Sequence, residues 1–209
     1  MTSEREAELN AVRVGKVEVH GKPIELVDYD PDWPALYERE AEKIRAALGE
    51  RALGLEHGGP TSVPGLAAKP IIDIVLTVAD SADEDAYVPP LEAAGYELTI
   101  RERDWYEHRA LKGTDPRVNL HVFSDGCPEI VRMTAFRDRL RTNPADRDLY
   151  ERRKRDLARR TWTYTQDYAD AKSEVVEEII ARAEFVKPKA ARPRSCLDPT
   201  LPLLDNGPS

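Results

Sequence analysis

Residues 55–78 read LEHGGPTSVPGLAAKPIIDIVLTV, and the fold turns on this stretch. Gly58 and Gly59 allow backbone conformations that residues with a side chain resist. The loop they open runs to Lys69, and the apolar run PIIDIVLTV follows it. Apolar residues without alternation predict a strand covered on both faces. Asp73 is the one charge in that run. A buried carboxylate is costly unless paired, and the pairing is either a metal ion or hydrogen bonds from backbone or Lys69. A glycine turn with free amides is also a cradle for phosphate oxygens.

Outward from this stretch, the pattern sets the remaining elements. IELVDY (24–29) is expected as a short strand. DPDWPALYEREAEKIRAALGE follows, with Asp30 at a helix N-cap, Pro31 in the first turn and Gly49 as the stop. Trp33, Leu36, Tyr37, Ile44 and Leu48 recur in it at helical spacing. ALGLEH (52–57) is a strand, SADEDAYVPPLEAAG (81–95) a helix, and YELTIRE (96–102), WYEHRAL (105–111) and VNLHVFS (118–124) are further strands. KGTDP and SDGCP punctuate these. From Pro128 the pattern is helical over 128–142, 145–160 and 164–184. Strands first and helices last predict an α+β fold: a small mixed sheet of about five to six strands, flanked by helices, with a C-terminal helical segment.

Residues 1–22 read as a flexible lead, 23–186 as the folded domain, and 187–209 as a disordered tail. That tail holds five prolines in 23 residues and offers a contact for a protein partner. The 209-residue chain is 41% hydrophobic and 33% charged, as expected for a soluble globular domain. No apolar run approaches the ~20 residues a membrane span needs. The polar start MTSEREAELN is not that of a secretory signal, and Cys127 and Cys196 suggest no disulfide framework, so a cytoplasmic location is expected. A net charge of −8 argues against a nucleic-acid partner, although Arg137–Arg160 carries ten Arg and Lys against five Asp and Glu. That segment is either a salt-bridged helical pair or a cationic wall for phosphates.

VDYDPDWPALYEREAEKIRAALG, LEHGGPTSVPGLAAKPIIDIVLTV, NLHVF and AFRDRLRTNP…YERRKRDLA…YADAK resemble, in this order and spacing, the GrpB family of bacterial proteins. The likeness covers about residues 24–180. It implies a nucleotidyltransferase-like fold, in which a Gly-Ser turn holds a triphosphate and an Asp-x-Asp/Glu pair binds two divalent metals. The chain departs twice from that pattern. Pro60 stands in place of the serine, lacking its hydroxyl and amide hydrogen, with Thr61 and Ser62 as partial substitutes. Val75 stands where a second carboxylate would be.

The resemblance makes Asp73, His121 and His57 the candidate catalytic residues, with Asp73 and His121 as ligands for Mg2+ or Mn2+. Gly58, Gly59, Thr61, Ser62, Lys69, Arg137, Lys154, Tyr168 and Lys172 are candidate contacts for a nucleoside triphosphate, ATP first among them. Each has a structural alternative. Strand histidines are commonly hydrogen-bonded structural groups. Arg137 equally serves as an Arg–carboxylate strut, and Tyr168 either stacks on a base or caps the core. Three functions stay open: a nucleotidyltransferase-like enzyme acting on a small-molecule acceptor, a binding module that has lost the chemistry, or a different reaction hosted on the same fold with His57 or His121 as general base. Monomer and homodimer are both compatible with the sequence.

Overall fold

The computed structural model describes residues 4–15 and 23–183. Within β2 (Ile72–Val78), successive residues serve two cores. Ile72, Ile74, Leu76 and Val78 pack with Ala41, Ile44 and Leu48 of α2 (Trp33–Leu48) and Leu91 of α3 (Val88–Ala93). Val75 belongs to the opposite face, with Phe123, Cys127, Ile130 and Met133. Side chains alternate along a strand, so a run apolar at both parities must be covered on both sides.

Five strands form the sheet: β1 (Gly54–Gly58), β2, β3 (Glu97–Glu102), β4 (His108–Thr114) and β5 (Arg117–Ser124), in spatial order β1-β2-β5-β4-β3. β2 and β5 are parallel, and every other neighbouring pair is antiparallel. The crossover from β2 to β5 carries α3 and the β3–β4 hairpin. A mixed α+β sheet flanked by helices is therefore what the chain makes, with five strands.

The sixth expected strand, 24–29, is reduced to one bridge. Val27 and Ala68 exchange two backbone hydrogen bonds of 2.9 Å each. Its partner is a loop bounded by Pro64 and Pro70, which lack the amides a ladder needs. Ile24 instead packs against Leu157 and Tyr168. The helix expected over 81–95 is a 3-10 turn at Glu84–Ala86 followed by α3, because Pro89 and Pro90 fit only the first turn of a helix. β4 begins at His108 rather than Trp105, since Tyr106 and Glu107 take positive φ of 54° and 49°. Asp32, not Asp30, occupies the N-cap of α2, and Asp30 accepts its amide at 2.9 Å.

Four helices follow the sheet: α4 (Pro128–Thr142), α5 (Pro144–Ala158), α6 (Thr165–Asp170) and α7 (Ser173–Arg182). The segment expected as one helix over 164–184 is thus two. Leu140, Tyr150, Val175 and Ile179 of these helices enclose Val63 and Leu66, pinning the loop after the glycine turn. In the N-terminal stretch, Glu4–Val12 forms α1, with Leu9 buried and Arg5 bonded to Asp167 and Asp170. The proline-rich tail lies outside the described residues. Among those described, no helix is long and apolar enough to cross a membrane.

Candidate functional site

Gly58 and Asp73 are cross-strand partners, so the glycine turn begins beside the carboxylate. Gly59 has φ +62°, and a Cβ built there would lie 2.0 Å from Asp73 Oδ2. Glycine is demanded twice, by the dihedral and by the close approach. Asn119 on β5 donates to Asp73 Oδ1 at 2.8 Å. The carboxylate is thus half-buried and engaged by a neighbouring amide, a partner that spacing alone does not reveal.

Pro60–Ser62 closes the turn as a 3-10 helix. Ser62 Oγ donates to the Gly59 carbonyl at 2.6 Å, and Thr61 Oγ1 shares a 3.1 Å hydrogen bond with His57 Nε2. Both side chains are buried, so their hydroxyls already serve the protein's own turn. Arg137 is a strut: it donates to Glu56 and Asp138 at 2.7 Å and to the His57 carbonyl at 3.1 Å, tying α4 to β1. Arg137→Ala is expected to cost about 2 kcal/mol, because the carbonyl loses a buried charged donor. Chemical denaturation checks this, and a loss under about 0.5 kcal/mol would show the strut to be idle.

Strand register separates the three candidate catalytic residues. His57 is paired with Ile74, so its ring faces α2, where it stacks on Tyr37 with centroids 4.6 Å apart and 4° between planes. Burial, with Arg141 and Arg137 nearby, pushes its pKa down to about 4. It is a neutral structural imidazole at pH 7. Asp73 and His121 share the other face, with Val75. Desolvation and the adjacent His108 hold His121 well below the usual imidazole range.

His108, which no sequence motif singles out, completes a chain. Glu102 Oε2 lies 2.6 Å from His108 Nδ1, and His108 Nε2 lies 3.1 Å from His121 Nδ1. An ionised carboxylate only accepts, which places a proton on His108 Nδ1. The β3–β4–β5 register assembles these three groups. The two histidines are thirteen positions apart, a spacing that carries no signal until the hairpin is known.

The lysines converge. Lys172 Nζ lies 4.6 Å and Lys69 Nζ 5.6 Å from the centroid of Tyr168, itself buried. Tyr168 therefore serves as a cation–π floor, its ring covered rather than open to a base. Lys154, only 1% exposed, donates to the Ala67 carbonyl and lies 4.9 Å from the Tyr150 centroid. None of the three forms an ion pair with a carboxylate among the described residues. Burial, then repulsion from Lys172, pushes Lys154 down to about 7. Burial and repulsion from Lys69 push Lys172 down to about 8, with Asp73 opposing. Lys69 is lowered by burial, also against Asp73. Lys69 and Lys172 thus lie near the Asp73 carboxylate, and Lys154 lies near Lys172 with Glu151 as its nearby carboxylate.

Among the described residues, no three His, Cys, Asp or Glu side chains are grouped to hold a metal ion. Val75, fully buried among Phe123 and Cys127, supplies no second carboxylate. Asp73 and His121 alone do not make a two-metal centre.

Residues 23–182 match the family model described as GrpB protein. This chain belongs to the GrpB family. A UPF0157 protein of Halalkalibacterium halodurans is 58% identical over 182 residues, covering 87% of this chain and 93% of that protein. The crystal structure of the conserved protein GrpB from Enterococcus faecalis, at 34% identity, covers 76% of this chain and 98% of that one with a TM-score of 0.64. A fainter likeness, TM-score 0.40 at 11% identity, is to a Cid1 poly(U) polymerase structure. In this GrpB chain the match takes in the glycine turn, Asp73 and all three lysines.

Proposed function

We propose that Lys69, Lys154, Lys172 and Asp73 together form a binding site for the phosphates of a nucleoside triphosphate, with ATP as the first candidate. The chain would then act as a nucleotidyltransferase-like enzyme on a small-molecule acceptor. The supporting observation is the lysine group: three buried or half-buried ammonium groups without carboxylate partners, each lowered in pKa. Unpaired buried charge is costly, and a polyanion relieves that cost. Lysines rather than a closed metal centre supply most of the neutralising charge, so Mg2+ arrives with the nucleotide instead of residing in the protein. The second reading, a binding module without turnover, is favoured by Pro60 and Val75.

Calorimetry with ATP and with inorganic tripolyphosphate, each in Mg2+ and in chelator, tests the pocket. Both are expected to bind with chelator present. No binding of either at millimolar concentration, in a folded sample, refutes the pocket. Asp73→Asn sharpens the test. Removing that negative charge should tighten metal-free tripolyphosphate several-fold, worth about 1 kcal/mol at a partly screened site. If instead binding weakens, Asp73 contributes to the anion site by a route other than charge. Release of pyrophosphate from ATP with a candidate acceptor, lost in Asp73→Asn, separates the enzyme from the binding module.

A further inference from the structure

A cavity of about 370 Å³ opens beside the glycine turn, and Asp73 is not among its lining residues. Tyr29, Pro34, Tyr37 and Pro64 give it apolar walls, with His57 and Ser62 beside them. Its charged lining is Arg141, Arg147 and Glu38. We propose that this cavity binds a free α-amino acid with an apolar or aromatic side chain.

Charge selects that class. Arg147, in the first turns of α5, and Glu38, on α2, line one cavity, yet neither side chain makes a hydrogen bond or ion pair with another described residue. Arg141 is held in place by donating Nε to the Ser62 carbonyl at 2.9 Å. Its Nη1 is 3.6 Å from Asp138, a long contact for an ion pair. Two guanidinium groups suit a carboxylate, which they engage in a planar fork. A carboxylate in the same lining, without a hydrogen bond or ion pair among the described residues, suits an ammonium. His57 stays neutral and adds no third cation.

The walls are rigid where a side chain would lie. The Tyr37 hydroxyl donates to the Leu55 carbonyl at 3.1 Å, and its ring is stacked on His57. Tyr29 is braced edge-on by Trp33, with centroids 5.3 Å apart. An aromatic or branched side chain gains burial there without ordering the pocket. The proposal is independent of the polyphosphate reading, because none of the three lysines lines this cavity.

L-phenylalanine is the probe, with 3-phenylpropanoate, which lacks the ammonium, and 2-phenylethylamine, which lacks the carboxylate. Ligand-observed NMR and calorimetry on the full chain give affinities. L-phenylalanine is expected to bind, and each comparator to bind about tenfold more weakly. Arg147→Gln, which breaks no side-chain hydrogen bond or ion pair among the described residues, should weaken L-phenylalanine about tenfold and leave 2-phenylethylamine unchanged. Glu38→Gln should erase the preference for L-phenylalanine over 3-phenylpropanoate. No binding of L-phenylalanine at millimolar concentration overturns the proposal, as does equal binding of all three compounds. Unchanged affinity in Arg147→Gln, with thermal unfolding matching wild type, overturns it too. Tripolyphosphate affinity in the same variants reports on the lysine pocket separately, and is expected to stay at the wild-type value.

Discussion

Gly59→Ala is expected to cost about 3 kcal/mol or more, lowering the melting temperature of this chain by roughly 10 °C. Two effects combine. At φ +62°, ψ −178° the backbone lies in a region essentially confined to glycine, so an alanine is strained by about 1–3 kcal/mol. The rest is steric, because the new Cβ would lie 2.0 Å from Asp73 Oδ2 and 2.8 Å from Asp73 Cβ. Asp73 has to move, and moving it breaks the hydrogen bond from Asn119. Two control glycines separate these effects. Gly65 has φ +78° with nothing within 4 Å of its built Cβ, so Gly65→Ala reports the cost of a positive φ without a steric clash. Gly58 lacks the positive φ, and its Cβ would meet Val75 Cγ2 at 3.3 Å. Gly65→Ala and Gly58→Ala should each cost about 1 kcal/mol. If Gly59→Ala costs no more than Gly65→Ala in denaturant titrations, the turn does not press on Asp73 as described.

That dependence of turn on carboxylate was half legible in the sequence. Gly58, Gly59 and Asp73 stood out by composition, and apolar continuity correctly placed β2 between two cores. What the sequence could not supply was register. Pairing His57 with Ile74 and Gly58 with Asp73 sends the histidine to one face and the carboxylate to the other, and a one-residue slip would reverse this. Asn119, His108 and Glu102 escaped notice for the same reason, since each meets its partner only through strand pairing. Helix boundaries erred where local chemistry overrode periodicity, at the two prolines of α3 and at the break between α6 and α7. Lys154 and Lys172 were legible through the family resemblance, but not their burial. A lysine in RRKR looks solvated until α5 is packed on the loop at Ala67.

The burial of Lys154 gives the most decisive test, because stability and binding should respond in opposite directions. Its ordinary pKa of 10.5 falls to about 7 in the folded chain. Between those values the unfolded chain holds more protons than the folded one, so stability rises with pH across that window. Below pH 7 the folded state carries the full cost of the buried charge, on the order of 4 kcal/mol at this degree of burial. Lys154→Met keeps the length of the side chain and removes the charge. It also leaves the Ala67 carbonyl without its donor, at a cost of about 1–3 kcal/mol. The variant should therefore be more stable than wild type at pH 6 and less stable at pH 10, with a flatter profile between. Binding of tripolyphosphate should weaken tenfold or more at pH 6, where the lost ammonium counts most. In the wild-type chain, a bound polyanion favours the protonated lysines, so binding at pH 8 should take up protons. Calorimetry in buffers of different ionisation heat measures that uptake directly. A variant that binds tripolyphosphate as tightly as wild type would remove Lys154 from the site. A wild-type profile without the rise between pH 7 and 10 would mean that its ammonium is not buried at cost, and the case for a polyanion at the lysine group would fall with it.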